Sequence, residues 1–451
     1  MCGIVGVHQG NSKQVYAGLY ALQHRGQDST GILSFDDGQF NLWKDRGLVS
    51  EVFTEEAFRK LSGNTAIGQV RYPTIGSDFK RDAQPFFIES PLKMGIVHNG
   101  NIANYSKLRK EYTLSSWCDV ELLLHMLVKE LKNNDDVFDS VEEVMKEANG
   151  SYSTLCLLED GSLLAFRDPF ALRPFVHGGG MFASESIALD LVGKELEGDV
   201  RGGECILMKD GEVEKKQLVK ETPRHCMFEF VYFSRPDSVQ QGKSVYEIRF
   251  NLGRELAKRF DKEADVVVPV PDTSRAAAAG FSKETGIPYR EGLIKNRYVG
   301  RTFIMPDQTC RESAVKFKLN PIKSELKGKR VVLIEDSVVR GTTSKNLVKL
   351  VRSAGAKEVH FLISCPPIRS PCFYGIDMTQ RGELFASGVE DPEKELAEKI
   401  GADSVIYLSL DGLKRAIGLK GLCTACINCD YPTDVCSLLK NQGNGKRPYE
   451  C

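Results

Sequence analysis

The sequence has no long apolar run and no excess of charge of either sign. Its apolar runs end after five or six residues, as in 266–270, whereas a membrane-spanning helix needs roughly 20. The formal net charge is −1, so the composition predicts neither a nucleic-acid partner nor attachment to a membrane surface. No basic segment followed by an apolar one precedes Cys2, and we therefore expect a cytoplasmic protein.

Two common nucleotide-binding loops are missing as well, because the sequence has neither a Walker-type loop nor a Gly-x-Gly-x-x-Gly after a predicted strand. The sequence is, however, long and rich in cysteine. Its 451 residues exceed what one hydrophobic core usually supports, so we expect two or three domains. Without a signal peptide, its 13 cysteines are predicted to be thiols and metal ligands rather than disulfides.

The first half alternates short apolar segments with turn sequences, which predicts an α+β arrangement with antiparallel strands. The dipeptides at 99–100, 160–161 and 210–211 are interpreted as turns between strands. Amphipathic helices are predicted over 15–22 and 120–131. The predicted strands are 4–7, 66–70, 94–97, 153–158, 163–166 and 205–208.

The second half alternates helices with strands, which is typical of an α/β fold with a parallel sheet. Helices are predicted over 245–260, 276–284 and 344–353, and strands over 266–270, 330–334 and 359–364. The change of pattern near 221–226 predicts a first domain over 1–225 and a second over 226–440. The polar, glycine-containing residues 441–451 predict a flexible tail.

The most specific segment is VVLIEDSVVRGTT, at 331–343. A buried strand ends there in two adjacent carboxylates, which suit sugar hydroxyls or Mg²⁺, and the following helix start suits a phosphate. Taken singly, such residues more often form a solvated strand end with a capped helix. Together they resemble the fingerprint with which type I phosphoribosyltransferases bind 5-phosphoribosyl-1-pyrophosphate (PRPP). The resemblance implies ligand-binding roles for Glu335, Asp336, Ser337, Arg340, Gly341, Thr342 and Thr343.

A second loop, VPDTSRAAAAG at 270–280, places Thr273 and Ser274 at a predicted helix start. We expect both to bind the departing pyrophosphate, with Thr273 joining Glu335 and Asp336 around Mg²⁺; an ordinary helix cap is the alternative. The basic segment 295–319 is predicted to close over the pyrophosphate, with a plain surface loop as its alternative.

Cys2 directly precedes an apolar strand, although second residues usually belong to frayed ends. Removal of Met1 would leave Cys2 with a free α-amino group, so the thiol would carry its own base. Four further segments follow in order: LQHRGQDSTGI (22–32), GQVRYPT (68–74), HNGNIAN (98–104) and CDVELLL (118–124). Together with Cys2 they resemble the glutaminase domain of the N-terminal-nucleophile amidotransferases.

This resemblance implies an αββα sandwich with Cys2 as the nucleophile. It further implies that Asn99 and the Gly100 N–H form the oxyanion hole, and that Arg71 and Asp119 bind the α-carboxylate and α-ammonium groups of glutamine. Considered alone, Asn99-Gly100 is a hairpin turn, Arg71 a surface cation and Asp119 a helix cap.

Joined to the PRPP segment, these motifs make residues 2–435 similar to the glutamine PRPP amidotransferases. The resemblance implies hydrolysis of L-glutamine and Mg²⁺-dependent transfer of its ammonia to PRPP, the first committed step of purine synthesis. It also implies inhibition by nucleotides such as AMP and GMP, and a homo-oligomer, either tetramer or dimer. A PRPP sensor without catalysis and a glutaminase serving another acceptor are the alternatives. The first would carry degraded catalytic segments, and the second lacks EDSVVRGTT.

The run GLCTACINCDYPTDVC at 421–436 spaces cysteines as in a metal centre, with buried inert thiols as the alternative. The resemblance implies a [4Fe–4S] cluster on Cys226, Cys372, Cys423 and Cys426, and four thiolates also suit Zn²⁺. Cys429 is an additional thiol that could replace one ligand, and Cys436 and Cys451 receive no role. The cysteines predicted to serve only in packing are Cys118, Cys156, Cys205, Cys310 and Cys365.

Overall fold

The computed structural model describes residues 2–72, 81–296 and 319–440. Most of the segment predicted to close over pyrophosphate therefore lies outside the described residues, as do the predicted tail 441–451, Cys310 and Cys451. No helix in the described ranges is both long enough and apolar enough to cross a bilayer.

Two antiparallel sheets form the first half. The strands of the seven-stranded sheet are, in spatial order, Gly198–Asp199, Val176–Gly178, Met181–Ala183, Gly3–His8, Thr65–Arg71, Ser29–Asp36 and Gln39–Arg46. Those of the six-stranded sheet are Glu212–Gln217, Glu204–Lys209, Leu163–Arg167, Gly150–Leu158, Met94–Ile102 and Phe86–Ile88. The six strands predicted for this half are thereby confirmed, each extended by one to five residues.

The two sheets face each other across a dry core that includes Ile4, Ile67, Val97 and Leu155. Helix Ser12–Ala21 covers the outer face of the first sheet, and helices Asp119–Asn133 and Val137–Glu147 cover that of the second. The layers run helix, sheet, sheet, helix, which is the αββα sandwich that the sequence predicts. Shorter helices of this half are Val49–Val52, Glu55–Lys60, Tyr105–Leu108 and Ile187–Asp190, with 3₁₀ turns at Gln23–Arg25 and Arg109–Glu111.

The prediction that Asn99-Gly100 makes a turn is wrong. Both residues lie inside strand Met94–Ile102, where Asn99 pairs with Ser153 and Gly100 with Tyr152. Glycine is needed here for a close approach, because a Cβ on Gly100 would stand 1.9 Å from the carbonyl oxygen of Ser151. The turns at 160–161 and 210–211 do connect neighbouring antiparallel strands.

The second half contains a four-stranded parallel sheet, as predicted. Its strands are Val266–Pro269, Arg330–Glu335, Glu358–Ile363 and Ser404–Tyr407. The helices around it are Val245–Ala257, Arg275–Thr285, Thr342–Ser353, Pro392–Ile400 and Leu410–Ile417, with short helices Lys323–Leu326, Ala425–Asn428 and Cys436–Lys440. Near-continuous apolar strands such as Val331–Ile334 are fully buried, as expected for a sheet covered on both faces.

Small elements join these layers. Strand His225–Cys226 pairs in parallel with Leu422–Cys423, so the start and the end of the second half meet. Helix Glu229–Phe233 follows directly, and a 3₁₀ turn spans Arg381–Glu383. Two-stranded ribbons are formed by Val239–Gln240 with Lys243–Ser244 and by Leu293–Lys295 with Leu319–Pro321.

Candidate functional site

Cys2 lies at the end of the central strand Gly3–His8, where the two sheets of the sandwich meet. Its backbone nitrogen donates a hydrogen bond to Oδ1 of Asn99 (3.3 Å), and its Sγ lies 3.8 Å from the carbonyl oxygen of Tyr72. Its carbonyl oxygen accepts a hydrogen bond from Nε of Arg25 (2.9 Å). The residue as a whole is partly exposed.

Asn99 offers a donor beside this thiol. Its Oδ1 is occupied by Cys2, whereas its buried Nδ2 has no hydrogen-bond partner among residues 2–72, 81–296 and 319–440. A buried amide N–H without a partner carries a desolvation cost of about 1–3 kcal/mol, which an anionic ligand would remove. Nδ2 of Asn99 is thus available to donate to an anionic ligand.

Arg71 and Asp119 are both buried. Arg71 contacts Cys118, the residue that directly precedes Asp119. Nη2 of Arg71 is 3.9 Å from Oδ2 of Asp82 and 3.9 Å from Sγ of Cys118. Cys118 is buried in the apolar core beside helix Asp119–Asn133, as expected for a packing residue, and its Sγ also faces this guanidinium.

Asp119 is held as a carboxylate. Its Oδ2 accepts the Ile102 N–H (3.0 Å) and lies 3.4 Å from Nε2 of His98. Burial favours the neutral acid, but the neighbouring His98 ring, the hydrogen bond from the Ile102 N–H and the charge of Arg71 outweigh it and lower the pKa of Asp119. A buried anion at this position can bind a cationic ligand group.

The loop 372–377 of the second half packs directly against the Asn99 strand. Nδ2 of Asn101 donates to the carbonyl oxygen of Phe373 (2.9 Å), and the hydroxyl of Tyr72 donates to Oδ2 of Asp377 (3.1 Å). A Cβ on Gly375 would lie 2.9 Å from the carbonyl oxygen of Gly100. The surroundings of Cys2 are therefore built from both halves of the chain.

A buried network of charged residues supports this junction. Arg25 binds Glu185 through Nη1 (2.5 Å) and Glu229 through Nη2 (2.8 Å). Arg173 binds the same Glu229 (3.2 Å) and donates from Nε to the carbonyl oxygen of Tyr374 (2.8 Å). Since Arg25 also holds the Cys2 carbonyl, the network connects the thiol to the loop of the second half.

A second site lies at the carboxyl end of the parallel sheet. Strand Arg330–Glu335 ends in Glu335 and Asp336, both buried, and Oε1 of Glu335 accepts the N–H of Asp336 (3.0 Å). Burial, followed by the neighbouring charge of Asp336, raises the pKa of Glu335 well above its ordinary value, and burial raises that of Asp336. Two adjacent buried carboxylates call for a cation, and Mg²⁺ binds through one or two carboxylates together with substrate phosphates.

The two predicted phosphate loops meet at this edge. Oγ of Ser274 lies 3.5 Å from Oε1 of Glu335, because strands Val266–Pro269 and Arg330–Glu335 are neighbours. Thr273 is half-buried beside Ser274, at the start of helix Arg275–Thr285.

The loop that follows strand Arg330–Glu335 leads into helix Thr342–Ser353. Oγ of Ser337 donates to Asp336 (2.6 Å), and Gly341 takes the left-handed conformation (φ 78°) just before the helix begins. Thr342 and Thr343 are exposed in its first turn. Arg340 instead turns outward and pairs with Glu383 (2.6 Å).

The four predicted cluster cysteines, Cys226, Cys372, Cys423 and Cys426, are all buried. Cys226 is the register partner of Cys423, and Sγ of Cys372 accepts the N–H of Tyr374 (3.4 Å). Burial raises the pKa of Cys226 to about 11, although the charge of Arg173 opposes it.

Two further cysteines of this region are exposed. Sγ of Cys429 lies 2.7 Å from Oγ of Ser370, and Cys436 begins the short helix Cys436–Lys440. Within the described ranges, no three His, Cys, Asp or Glu side chains are arranged to hold one metal ion.

Several residues of the site have no role in the sequence-based predictions. His98, Arg25 and Tyr72 lie within the quoted motifs, so their positions were visible although no function was assigned to them. Glu229 and Asp377 were not predictable, because only the packing of the two halves brings them to the first site.

Comparisons with known proteins agree with the division of the chain into two halves. A family model described as a glutamine amidotransferase domain matches residues 71–190, and one described as a phosphoribosyl transferase domain matches 238–371. The amidophosphoribosyltransferase of Methanocaldococcus jannaschii is 45% identical, with 96% of this chain and 98% of that protein covered. That of Methanothermobacter thermautotrophicus is 47% identical, covering 96% and 95%.

A solved structure shows the same architecture. The glutamine PRPP amidotransferase from B. subtilis, complexed with ADP and GMP, superposes with a TM-score of 0.89 at 38% identity. The alignment covers 99% of this chain and 100% of that one, so the similarity extends over both halves.

Proposed function

The chain belongs to the amidophosphoribosyltransferase family, and from this premise we propose which of its residues carry out the two half-reactions. Members of the family hydrolyse glutamine and transfer its nitrogen to PRPP, giving 5-phosphoribosylamine, glutamate and pyrophosphate. This transfer is the first committed step of purine nucleotide synthesis. We propose that residues 1–225 perform the first half-reaction and residues 226–440 the second.

Cys2 is the proposed nucleophile. Once Met1 is removed, the α-amino group of Cys2 takes the thiol proton, and the thiolate attacks the amide carbon of glutamine. The tetrahedral oxyanion receives hydrogen bonds from Nδ2 of Asn99 and the N–H of Gly100. The ammonium of Cys2 then returns the proton to the leaving nitrogen, ammonia departs, and water hydrolyses the resulting thioester to glutamate.

Arg71 and Asp119 are the proposed recognition groups for glutamine. The guanidinium of Arg71 binds the α-carboxylate through two parallel hydrogen bonds. The buried carboxylate of Asp119 pairs with the α-ammonium group. A ligand that carries both charges is thereby distinguished from a simple amide.

The PRPP site is proposed at the carboxyl edge of the parallel sheet. Glu335 and Asp336 hold the ribose hydroxyls and, with Thr273, a Mg²⁺ ion. When bound, Mg²⁺ neutralises the pyrophosphate leaving group. Backbone and hydroxyl groups of Ser337, Gly341, Thr342 and Thr343 bind the 5-phosphate at the helix start, Arg340 adds positive charge, and Ser274 contacts the pyrophosphate.

The contact between the halves supports internal transfer of ammonia. Ammonia released into water at neutral pH would be protonated and would lose its nucleophilic lone pair. The packing of Asn101 on Phe373 and of Gly375 on Gly100 places the second half directly beside the proposed oxyanion hole. We propose that ammonia crosses at this junction.

We further propose that Cys226, Cys372, Cys423 and Cys426 hold a [4Fe–4S] cluster. Their burial and the N–H bond to Cys372 fit cluster thiolates. A single Zn²⁺ is the alternative and needs four sulfurs at about 2.3 Å from one point. Cys429, with its sulfur on Ser370, is left out of the ligand set.

Regulation and assembly are inferred from the relatives. The B. subtilis neighbour was solved with ADP and GMP, and we propose that purine nucleotides such as AMP and GMP inhibit this chain too. A homo-oligomer, tetramer or dimer, and a cytoplasmic location remain predictions.

The observation that carries the functional assignment is the hydrogen bond from Cys2 to Oδ1 of Asn99, whose amide nitrogen Nδ2 has no partner in the described part of the chain. The test supplies glutamine labelled with ¹⁵N at the amide, together with excess unlabelled ammonium. Labelled phosphoribosylamine supports transfer within the protein. Unlabelled product would show that glutamine nitrogen first mixes with the solvent.

A further inference from the structure

We propose that Lys44 is a positioning residue for the glutamine half-reaction, which it serves by fixing the segment 82–85 against both glutamine-binding residues. The proposal rests on the roles proposed above for Arg71 and Asp119. Lys44 itself does not touch the substrate.

Lys44 lies on the edge strand Gln39–Arg46 and is half-buried. Its Nζ donates to the carbonyl oxygens of Ala83 (2.5 Å) and Pro85 (3.1 Å), and it stands 4.8 Å from the centre of the Phe86 ring. The two carbonyls flank Gln84, so one ammonium group fixes the backbone on both sides of that residue.

The neighbouring strand Ser29–Asp36 has a glycine where the segment 82–85 contacts it. Gly31 is the register partner of Lys44. A Cβ on Gly31 would stand 2.3 Å from the carbonyl oxygen of Gln84 and 2.9 Å from Cδ of Pro85. The segment therefore lies directly on the strand, where the lysine reaches over it.

The fixed segment contacts both proposed glutamine-binding groups. Asp82 places Oδ2 3.9 Å from Nη2 of Arg71. Gln84 accepts the N–H of His98 on Oε1 (2.8 Å), and its Nε2 lies 3.3 Å from Nδ1 of the His98 ring. The other ring nitrogen of His98 is 3.4 Å from Oδ2 of Asp119. A shift of the segment would move the partners of Arg71 and Asp119 together.

The charge of Lys44 titrates within an accessible pH range. Burial lowers the pKa of Lys44 to about 8, with Cys118, Arg71, Asp82 and Glu121 as the charged and titratable groups around it. A neutral amine is a weaker donor to carbonyl groups than an ammonium. We therefore expect the KM for glutamine to rise as the pH increases through about 8, because the segment is then held less firmly.

The test compares Lys44→Met, which keeps the aliphatic stem but loses the donors, with Lys44→Arg, which keeps a permanent charge. Lys146→Met is the matched control, since Lys146 is exposed and pairs with Glu142 and Glu143 of its own helix. Each full-length variant is assayed with glutamine and, separately, with ammonium as the nitrogen source. The expected result for Lys44→Met is a KM for glutamine at least tenfold higher, with ammonium-dependent synthesis within twofold of the parent.

Lys44→Arg is expected to recover most of the glutamine affinity and to lose the rise of KM above pH 8. An unchanged KM in Lys44→Met would overturn the proposal. So would an equal loss of both activities, because it would show a general structural role. Arg71→Met and Asp119→Asn test the underlying assignment separately: if neither raises the KM for glutamine, the proposed glutamine site is wrong whatever Lys44→Met does.

Discussion

The backbone nitrogen of Cys2 donates to Oδ1 of Asn99 over 3.3 Å, which leaves Nδ2 of the same amide as the donor for a ligand. One side chain thus contacts the nitrogen of the proposed base and carries the proposed oxyanion donor. The arrangement ties the geometry of the nucleophile to that of the oxyanion hole.

Replacing Asn99 by Ala should therefore lower kcat with glutamine by about 10²–10³-fold, since an oxyanion donor acts only once charge has developed. Synthesis from ammonium should stay near the parental rate. Steady-state rates with each nitrogen source check this, with Asn133→Ala, an exposed residue at the C-terminal end of helix Asp119–Asn133, as control. A parallel loss of both activities would show that Asn99 serves the fold instead.

Gly100→Ala should unfold at a lower temperature than the parent, because the added Cβ would stand 1.9 Å from the Ser151 carbonyl oxygen. Gly382→Ala is the matched control, as a Cβ there meets no atom of the described residues within 4 Å. Thermal unfolding followed by circular dichroism provides the comparison. Equal midpoints for the two variants would contradict the described strand pairing.

Glu229→Gln should destabilise the protein by about 3–5 kcal/mol, because it leaves the buried Arg25 and Arg173 without their shared carboxylate. Glu284→Gln, which breaks a largely exposed pair with Arg254, should cost less than about 1 kcal/mol. Denaturant unfolding gives both values. Similar small losses would mean that the network adds nothing beyond a surface ion pair.

Glu335→Gln should abolish synthesis from both nitrogen sources yet leave the hydrolysis of glutamine measurable. Without metal, this variant should be more heat-stable than the parent at pH 7, since burial and Asp336 raise the pKa of Glu335, and a carboxyl whose pKa is raised by folding costs stability above its unfolded-state pKa. Added Mg²⁺ with PRPP should raise the unfolding temperature of the parent only. Retention of PRPP turnover in the variant would remove Glu335 from the site.

The cysteine proposal predicts about four iron and four sulfide per chain in protein purified without oxygen. Cys423→Ser should lose this iron, whereas Cys436→Ser, at an exposed cysteine, should keep it. Metal analysis and the visible absorption spectrum measure the content. One zinc per chain and no sulfide would favour the alternative.

The layers of the fold and the segments that form the candidate sites can be predicted from the sequence, because both depend on short-range patterns. Alternating apolar strands, the buried run before Glu335 and the amphipathic helix containing Leu123 and Leu127 each fix an element without distant partners. Asn99-Gly100 misled for the same reason: the pair favours a turn locally, while pairing with Gly150–Leu158 keeps it in a strand. Contacts between residues that are distant in sequence, such as Glu229 with Arg25, form only when the two halves pack together. No short sequence pattern predicts them.

The most direct test of the account treats the active protein with a diazoketone analogue of glutamine and maps the modified peptide by mass spectrometry. The account predicts a single modified peptide that begins at Cys2, carries the label on that residue and lacks Met1, with activity from glutamine lost and activity from ammonium retained. A label on another residue, or full glutamine-dependent activity in protein that still carries Met1, would contradict it.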